Sequence, residues 1–290
     1  MTSDLIPITI VIPTRNEEAN LAKCLRALGR FSEVVLIDSA STDATCSIAE
    51  SFGYRVINFA WNGQFPKKRN WYLLNHKPKN AWVLFLDADE IVTDAFCTEV
   101  AAAVQNTAHA GYWLNYRNYF LGKKLRFGIP QRKLALFRVG SGLYERIEEA
   151  AWSNLDMEIH EHPQIEGSLG ELRAPIDHND DRGILKQIER HREYAIWECA
   201  RINLLEAAPT GQLAKLTSRQ KLKYRLIRSP IFAAAYAIFQ YFGRLGCLDG
   251  YAGLQYALLK FWYFNLIAVL LRQNREAEAR LTQSSSQYTS

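Results

Sequence analysis

Two rhythms of apolar and polar positions alternate along the first 110 residues. Short β-branched runs, ITIVIP (8–13), EVVLID (33–38), YRVINF (54–59) and WVLFL (82–86), predict four buried strands. Between them, apolar residues recur at helical spacing. EEANLAKCLRALG places Leu21, Cys24, Leu25 and Leu28 on one face and stops at Gly29. STDATCSIAESFG offers Ser41, Thr42 or Asp43 as caps and Gly53 as a stop. KKRNWYLLNH and DAFCTEVAAAVQN read as two further helices. This alternation predicts an α/β fold, a mostly parallel sheet flanked by helices, with ligands beyond the carboxyl ends of the strands.

Polar residues collect at those ends: Thr14, Arg15, Asn16 and Glu17 after the first strand, Asp38, Ser39, Ser41 and Asp43 after the second, Asp87, Asp89 and Glu90 after the fourth. From Gly111 the rhythm changes. GYWLNYRNYFLGKKLRFG reads as a hairpin or extended loop, and KLALFRV (133–139) as a strand. Residues 140–180 are irregular and hold IHEHP and PIDHND; the chain turns helical near Arg182 and ends in TQSSSQYTS, which has the composition of a disordered tail. The boundaries implied are 1–110, 111–180, 181–280 and 281–290.

Composition narrows the class. Of 290 residues 48% are hydrophobic and 22% charged, which supports a real core and excludes a disordered chain. Five scattered cysteines without a CxxC pair argue against a disulfide framework or a structural zinc and fit a reducing compartment. The N-terminal stretch has neither a basic region nor a long apolar core, so no signal peptide is expected. Charge is uneven: 16 Lys/Arg against 8 Asp/Glu from Asp181 onward, 19 against 22 before it. An acidic front and a basic back suggest two tasks.

The acidic strand end carries the chemistry. Asp87 and Asp89 stand at i and i+2, so in an extended segment both face one ligand. Two such charges repel, and a divalent Mg2+ or Mn2+ relieves the repulsion. Three enzyme classes use this pattern: a nucleotide-sugar transferase, a haloacid-dehalogenase-like phosphatase with Asp87 as nucleophile, and a two-metal nuclease. The phosphatase pattern ordinarily ends the first strand, whereas here it ends the fourth. No G-x-G-x-x-G or Walker A loop is present. A catalytically idle, membrane-associated scaffold is the non-enzymatic alternative.

The blocks ITIVIPTRNEEANLAKCLRAL, EVVLIDSASTDAT, KKRN and WVLFLDADE, in this order, resemble a family 2 glycosyltransferase of the GT-A (Rossmann-like) fold over residues 8 to 95. The resemblance implies a nucleotide-diphosphosugar donor, a divalent metal and inversion at the anomeric carbon. It implies that Pro13, Thr14, Arg15 and Glu17 line the nucleoside pocket and that Asp38 contacts the base. Ser41 and Asp43 would support that loop, and Lys68, Arg69 and Asn70 would lie near the diphosphate or sugar. Asp87 and Asp89 match the D-x-D pair, Asp89 as the direct metal ligand. Ala40 stands where the family has Gly. NYRNYFLGKKLRFG, LALFR, IHE, Gly167 and LRAPIDH resemble the narrower lipopolysaccharide core β-1,4-glucosyltransferase type, with Ala135 in place of that branch's Arg. This implies UDP-glucose or another UDP-hexose as donor, a lipid-linked saccharide acceptor, and Glu161 as the base that deprotonates its hydroxyl. His178 matches the branch's block and would close over the diphosphate or metal; His160 and His162 read as loop histidines.

Between Ala207 and Leu248 there is no Asp or Glu but seven Lys/Arg, followed by LQYALLKFWYFNLIAVLL. That run approaches the length of a bilayer span but carries Lys260 inside it. The reading is a C-terminal membrane-associating region, in-plane helices binding an anionic membrane surface through residues 207–272. A buried core helix or homo-oligomer interface is the alternative. No nucleic-acid motif is present, so no such partner is expected. The expected location is the cytoplasmic face of the inner membrane, peripheral or monotopic.

Overall fold

The computed structural model describes residues 5–105, 108–146, 155–156, 163–207 and 218–287. The chain forms two compact units, one from residues up to Lys124 with Pro130–Arg182, the other from Leu125–Ile129 with the chain from Gly183 onward.

The first unit is built on a mixed sheet. Its strands are β1 (Ile6–Thr14), β2 (Phe31–Asp38), β3 (Arg55–Asn58), β4 (Trp82–Phe85), β5 (Glu90–Ile91), β6 (Gly111–Phe120), β7 (Lys123–Lys124), β8 (Gln131–Arg138) and β11 (Leu169–His178), in the order β3-β2-β1-β4-β8-β6-β11-β5 with β7 paired to β6. A short ribbon pairs β9 (Gly142–Tyr144) with β10 (Pro163–Ile165). Helices α1 (Glu18–Arg26), α2 (Thr45–Ser51), α3 (Lys68–Asn75) and α4 (Asp94–Ala103) follow β1, β2, β3 and β5.

Why β1 is apolar throughout is visible in its packing. Ile8, Ile10 and Ile12 join Leu21, Leu25 and Leu28 of the α1 region in one core, while Val11 joins Val35, Ile37, Val83, Phe85 and Tyr72 in a second core on the other face. Alternation along a strand covered on both sides produces a continuous hydrophobic run. The strands β3-β2-β1-β4 are parallel, so their carboxyl ends share one rim.

Beyond β4 the sheet departs from a purely parallel pattern. Strand β8 inserts antiparallel between β4 and β6, and β11 then pairs parallel with β6. Strand β11 lies in a stretch the sequence reads as irregular. Its apolar signal is weak because only Leu172 and Ile176 are buried. A break in register between those two residues is held by Glu99 of α4, whose carboxylate accepts the Arg173 and Ala174 N–H groups at 3.0 and 2.7 Å. The hairpin expected after Gly111 is present as β6–β7, turning at Leu121 and Gly122, both with positive φ.

The second unit is helical: α5 (Gly183–Ala207), α6 (Ser218–Leu226), α7 (Pro230–Ile238), a π turn (Phe239–Gly243), a 3-10 turn (Gly246–Asp249) and α8 (Gly250–Gln287). Its core joins Ala195, Cys199 and Ile202 of α5 with Ala233 of α7 and Tyr263, Phe264, Ile267 and Leu271 of α8. Residues 125–129, which the sequence reading places with 111–180, belong to this unit. The buried Asp249 carboxylate accepts the N–H groups of Arg126 and Phe127, and the Gln240 side-chain oxygen accepts that of Ile129 at 2.8 Å. Helix α8 runs on to Gln287, into the stretch whose composition reads as a tail; no Gly or Pro interrupts it there.

Candidate active site

Two loops at the rim are laced together by side chains. Thr14 and Asp38 are register partners on β1 and β2, and the Thr14 hydroxyl donates to Asp38 Oδ1 at 3.0 Å. The same oxygen accepts the Ser41 hydroxyl at 2.5 Å, while Oδ2 accepts the Ser41 N–H at 2.8 Å. Ser41 Oγ in turn accepts the Asn16 N–H, and Asn16 Oδ1 accepts the Thr42 N–H, both at 2.8 Å. Asp43 accepts from Thr45 and from the Glu18 N–H, and these hydrogen bonds hold its carboxyl below the usual range although burial works against them. The β2–α2 loop is thus built by Asp38, Ser41 and Asp43 from within. Ala40 sits on it at φ 51, the left-handed conformation that glycine occupies without strain. Pro13 is buried in the strand end, and Arg15 is exposed at the rim.

The D-x-D segment leaves β4 and turns at once into β5. Asp87 is spoken for twice: Oδ1 pairs with Arg69 Nη2 at 2.8 Å and Oδ2 with Lys133 Nζ at 2.7 Å. Burial alone would raise its pKa, but Lys133 and Arg69 pull it well below the carboxylate range. Lys133 also ion-pairs with Glu90 and lies 5.0 Å from the centre of the Tyr116 ring. Glu90 is almost fully buried; its other oxygen accepts the Asp87 N–H at 3.1 Å and the Tyr116 hydroxyl at 3.3 Å. Burial holds the Glu90 pKa up against the pull of Lys133. Glu90 is therefore part of the site's frame; the cap of α4 is Thr93, which accepts the Phe96 N–H.

Asp89 faces differently. Its Oδ2 lies 3.4 Å from His178 Nε2 and 3.9 Å from Arg182 Nη2. His178 Nδ1 contacts Asn118 Oδ1 at 3.0 Å, which fixes the ring with Nε2 toward Asp89. Burial lowers the His178 pKa, but Asp89 outweighs it and the net shift is upward. Residues 178–182 run as a strap over the start of α1. Arg182 binds Asp180 through two nitrogens, at 2.8 and 2.9 Å, and reaches Glu17 Oε1 at 2.6 Å. The Asn20 side chain exchanges hydrogen bonds with Asp180 and with the Asp181 N–H. Burial pushes Glu17 up to about 7 although Arg182 pulls the other way.

Of the KKRN block, Lys68 is buried, donates to the Thr14 carbonyl at 3.0 Å and ion-pairs with Asp156 at 3.2 Å. Burial lowers its pKa against the pull of Asp156. Arg69 stands beside the acidic motif. The Asn70 amide bridges the main chain of Tyr144, accepting its N–H at 2.8 Å and donating to its carbonyl at 3.0 Å, so it anchors β9. Glu161, with His160 and His162, lies outside the described residues. Lys133, Tyr116 and Arg182 are site residues that the sequence reading missed. The available signal for Lys133 was a lone lysine opening the otherwise apolar run of β8.

The donor chemistry suits a hard divalent cation. Asp89 Oδ2 and His178 Nε2 are hard donors 3.4 Å apart, with Arg182 Nη2 3.9 Å from the same oxygen, and no cluster of three or more His, Cys, Asp or Glu that could hold a metal occurs among the described residues. For that role Asp89 and His178 would supply one oxygen and one nitrogen, with Arg182 beside the same oxygen. Asp87 fits it less well, because both its oxygens are already ion-paired.

A parallel half-sheet with an acidic motif at the end of its fourth strand and a mixed sheet beyond it is the GT-A-like architecture. The chain belongs to glycosyl transferase family 2, whose family model matches residues 9–154. Among curated relatives it is similar to the lipopolysaccharide core biosynthesis glycosyltransferase LpsC of Rhizobium meliloti (strain 1021), 29% identical over 182 residues, 58% of this chain and 61% of LpsC. It is also similar to a glycosyltransferase of Rickettsia typhi, 34% identical over 94 residues, 32% of this chain and 31% of that protein. These matches thus span less than two thirds of either relative. Among solved structures, S. aureus TarS 1–349 in complex with UDP-GlcNAc aligns at a TM-score of 0.45 and 16% identity, covering 93% of this chain and 92% of that one.

Proposed function

We propose that this glycosyltransferase is inverting and metal-dependent. In this reading it moves a hexose from a UDP-sugar to a hydroxyl of a lipid-linked saccharide in lipopolysaccharide core synthesis, at the cytoplasmic face of the inner membrane. The observation that carries the reading is the division of labour in the acidic motif: Asp87 is neutralised by Arg69 and Lys133, while Asp89 is turned toward His178. The similarity to LpsC supports the acceptor class.

Asp89 and His178 would hold Mg2+ or Mn2+. When bound, the ion supplies charge neutralisation for the donor diphosphate. The chain's own groups do the rest. Pro13, Thr14 and Arg15 border the nucleoside side of the rim, with the loop braced by Asp38, Ser41 and Asp43. Arg182 and Arg69 set positive charge where the diphosphate departs with the electron pair of the broken C–O bond. Glu161 accepts the proton of the acceptor hydroxyl as its oxygen attacks the anomeric carbon from the opposite side. Asp87, with both oxygens ion-paired, is not presented as the nucleophile that the phosphatase alternative needs.

A panel of UDP, GDP and dTDP sugars, read by thermal shift with and without Mn2+, tests the reading. A UDP-hexose should raise Tm only with the metal, because a ligand that binds the native state stabilises it. No shift with any donor would favour an idle scaffold. For the base, Glu161→Gln should keep donor binding and lose kcat; unchanged kcat would move the base elsewhere.

A further inference from the structure

The second unit turns a corner between α7 and α8, and that corner is apolar on its outside. Ile238, Phe239, Phe242, Leu245, Leu248 and Tyr251 are each at least half exposed, Phe242 at 63% and Tyr251 at 71%. Six large apolar side chains within fourteen residues make a patch of the kind that soluble surfaces avoid. The polar groups of the same turns point the other way. Gln240 and Asp249 are buried and bind the main chain of residues 126–129, and the Gly128 N–H donates to the Arg244 carbonyl at 2.9 Å. Gly246 and Gly253 pack so closely that a Cβ on Gly253 would lie 1.9 Å from the Gly246 carbonyl oxygen. The corner is therefore preorganised, with its hydrogen bonds satisfied inside and its apolar side chains outside.

The charge around it selects an occupant. No Asp or Glu occurs between Ala207 and Leu248, and Lys221, Arg225 and Arg244 are exposed. Arg244 lies within the apolar corner and Lys221 and Arg225 on the same helical unit, a basic and acid-free stretch that complements an anionic bilayer leaflet. Helix α8 is long and apolar enough to cross a membrane, but its packing argues for shallow insertion. Midway along it, Lys260 lies over the rings of Tyr256 and Tyr263 and 3.3 Å from His191 Nε2 of α5. The following turns fill the core against α5 and α7. Crossing a bilayer would dismantle that bundle.

We infer that the α7–α8 corner is a hydrophobic wedge that inserts into one leaflet of an anionic membrane, with Lys221, Arg225 and Arg244 against the headgroups. The inference rests on the membrane location in the proposed function and names the surface that achieves it. Flotation of the full chain with vesicles of phosphatidylcholine, alone or with phosphatidylglycerol, tests it at low and high salt. Wild type should float with the anionic vesicles and less so at high salt. Phe239→Ser/Phe242→Ser, and separately Leu248→Ser/Tyr251→Ser, should each lower the bound fraction on the order of tenfold. Lys221→Ala/Arg225→Ala/Arg244→Ala should lose only the anionic preference. The wedge side chains are exposed, so Tm should be unchanged in the two wedge double variants. UDP release from donor hydrolysis without vesicles should be unchanged as well. That second readout separates the ideas: absent hydrolysis in wild type counts against the proposed function and leaves the wedge to flotation. Wedge variants that float like wild type would overturn the inference. So would wild type that resists alkaline carbonate extraction, as a spanning helix does, or a vesicle-free dimer that the wedge variants break.

Discussion

Removing the lysine that holds the acidic motif together is the sharpest perturbation of the frame. Lys133→Met keeps the aliphatic stem and deletes the charge shared by Asp87 and Glu90. Asp87 retains Arg69 at 2.8 Å, whereas Glu90, 1% exposed, keeps among the described residues the Asp87 N–H and the Tyr116 hydroxyl. Breaking a buried pair in this one-sided way costs about 3–5 kcal/mol. Lys133 is 31% exposed in its side chain, so screening lowers the expected loss to roughly 2–3 kcal/mol. For a chain of this size that is a Tm decrease of roughly 5–10 °C. Five of the seven tryptophans lie in the first unit, so Trp fluorescence reports its unfolding. Adding Glu90→Gln should recover at least half of the loss, because it removes the uncompensated charge. The pH sign follows from Glu90, whose folded pKa is already raised by burial and would rise further without Lys133. A raised carboxyl destabilises only once the unfolded state ionises, so the defect of Lys133→Met should be small at about pH 5 and larger at about pH 8. A Tm equal to that of wild type, or strict additivity of the two substitutions, would refute this account of the frame.

Ala40→Gly relieves a left-handed alanine that costs about 1–2 kcal/mol, offset by glycine's greater unfolded-state freedom of about 0.4–1 kcal/mol. Chemical denaturation should show a net gain on the order of 0.5–1 kcal/mol, and a loss would mean the loop needs the methyl group. Glu17 is held up to about 7 from an ordinary 4.5. The contribution of Glu17 to the stability of the first unit should therefore be greatest below that ordinary value and be lost as pH rises through about 7, a slope that Glu17→Gln flattens; an unchanged slope would assign it to another group.

How far the sequence anticipated this molecule depends on how local each signal was. The strands β1, β2 and β4 were legible because each is buried on both faces and so reads as an unbroken apolar run. The loop of Asp38, Ser41 and Asp43 was legible as turn chemistry. Strand β11 was not, since two buried residues among charged ones carry no period, and its register break is held by Glu99 from a distant helix. Lys133, Tyr116 and Arg182 join the site only through the order of strands in the sheet, which brings β8 beside β4 and the end of β11 beside β5. The motif places Asn70 near the diphosphate or sugar; that its amide binds the Tyr144 main chain follows only from the fold. The apolar C-terminal run was visible as such; that its lysine points into a bundle follows only from the packing of α5 against α8.

In the proposed function Asp89, and not Asp87, presents the ligand end of the acidic motif. Titrating wild type and Asp89→Asn with UDP in a calorimeter, with and without Mn2+, tests it most directly. Wild type should bind UDP in a Mn2+-dependent way, and Asp89→Asn should stay folded while losing the metal-dependent part of the affinity. Equal UDP affinity in the two proteins, with Mn2+ present, would contradict it.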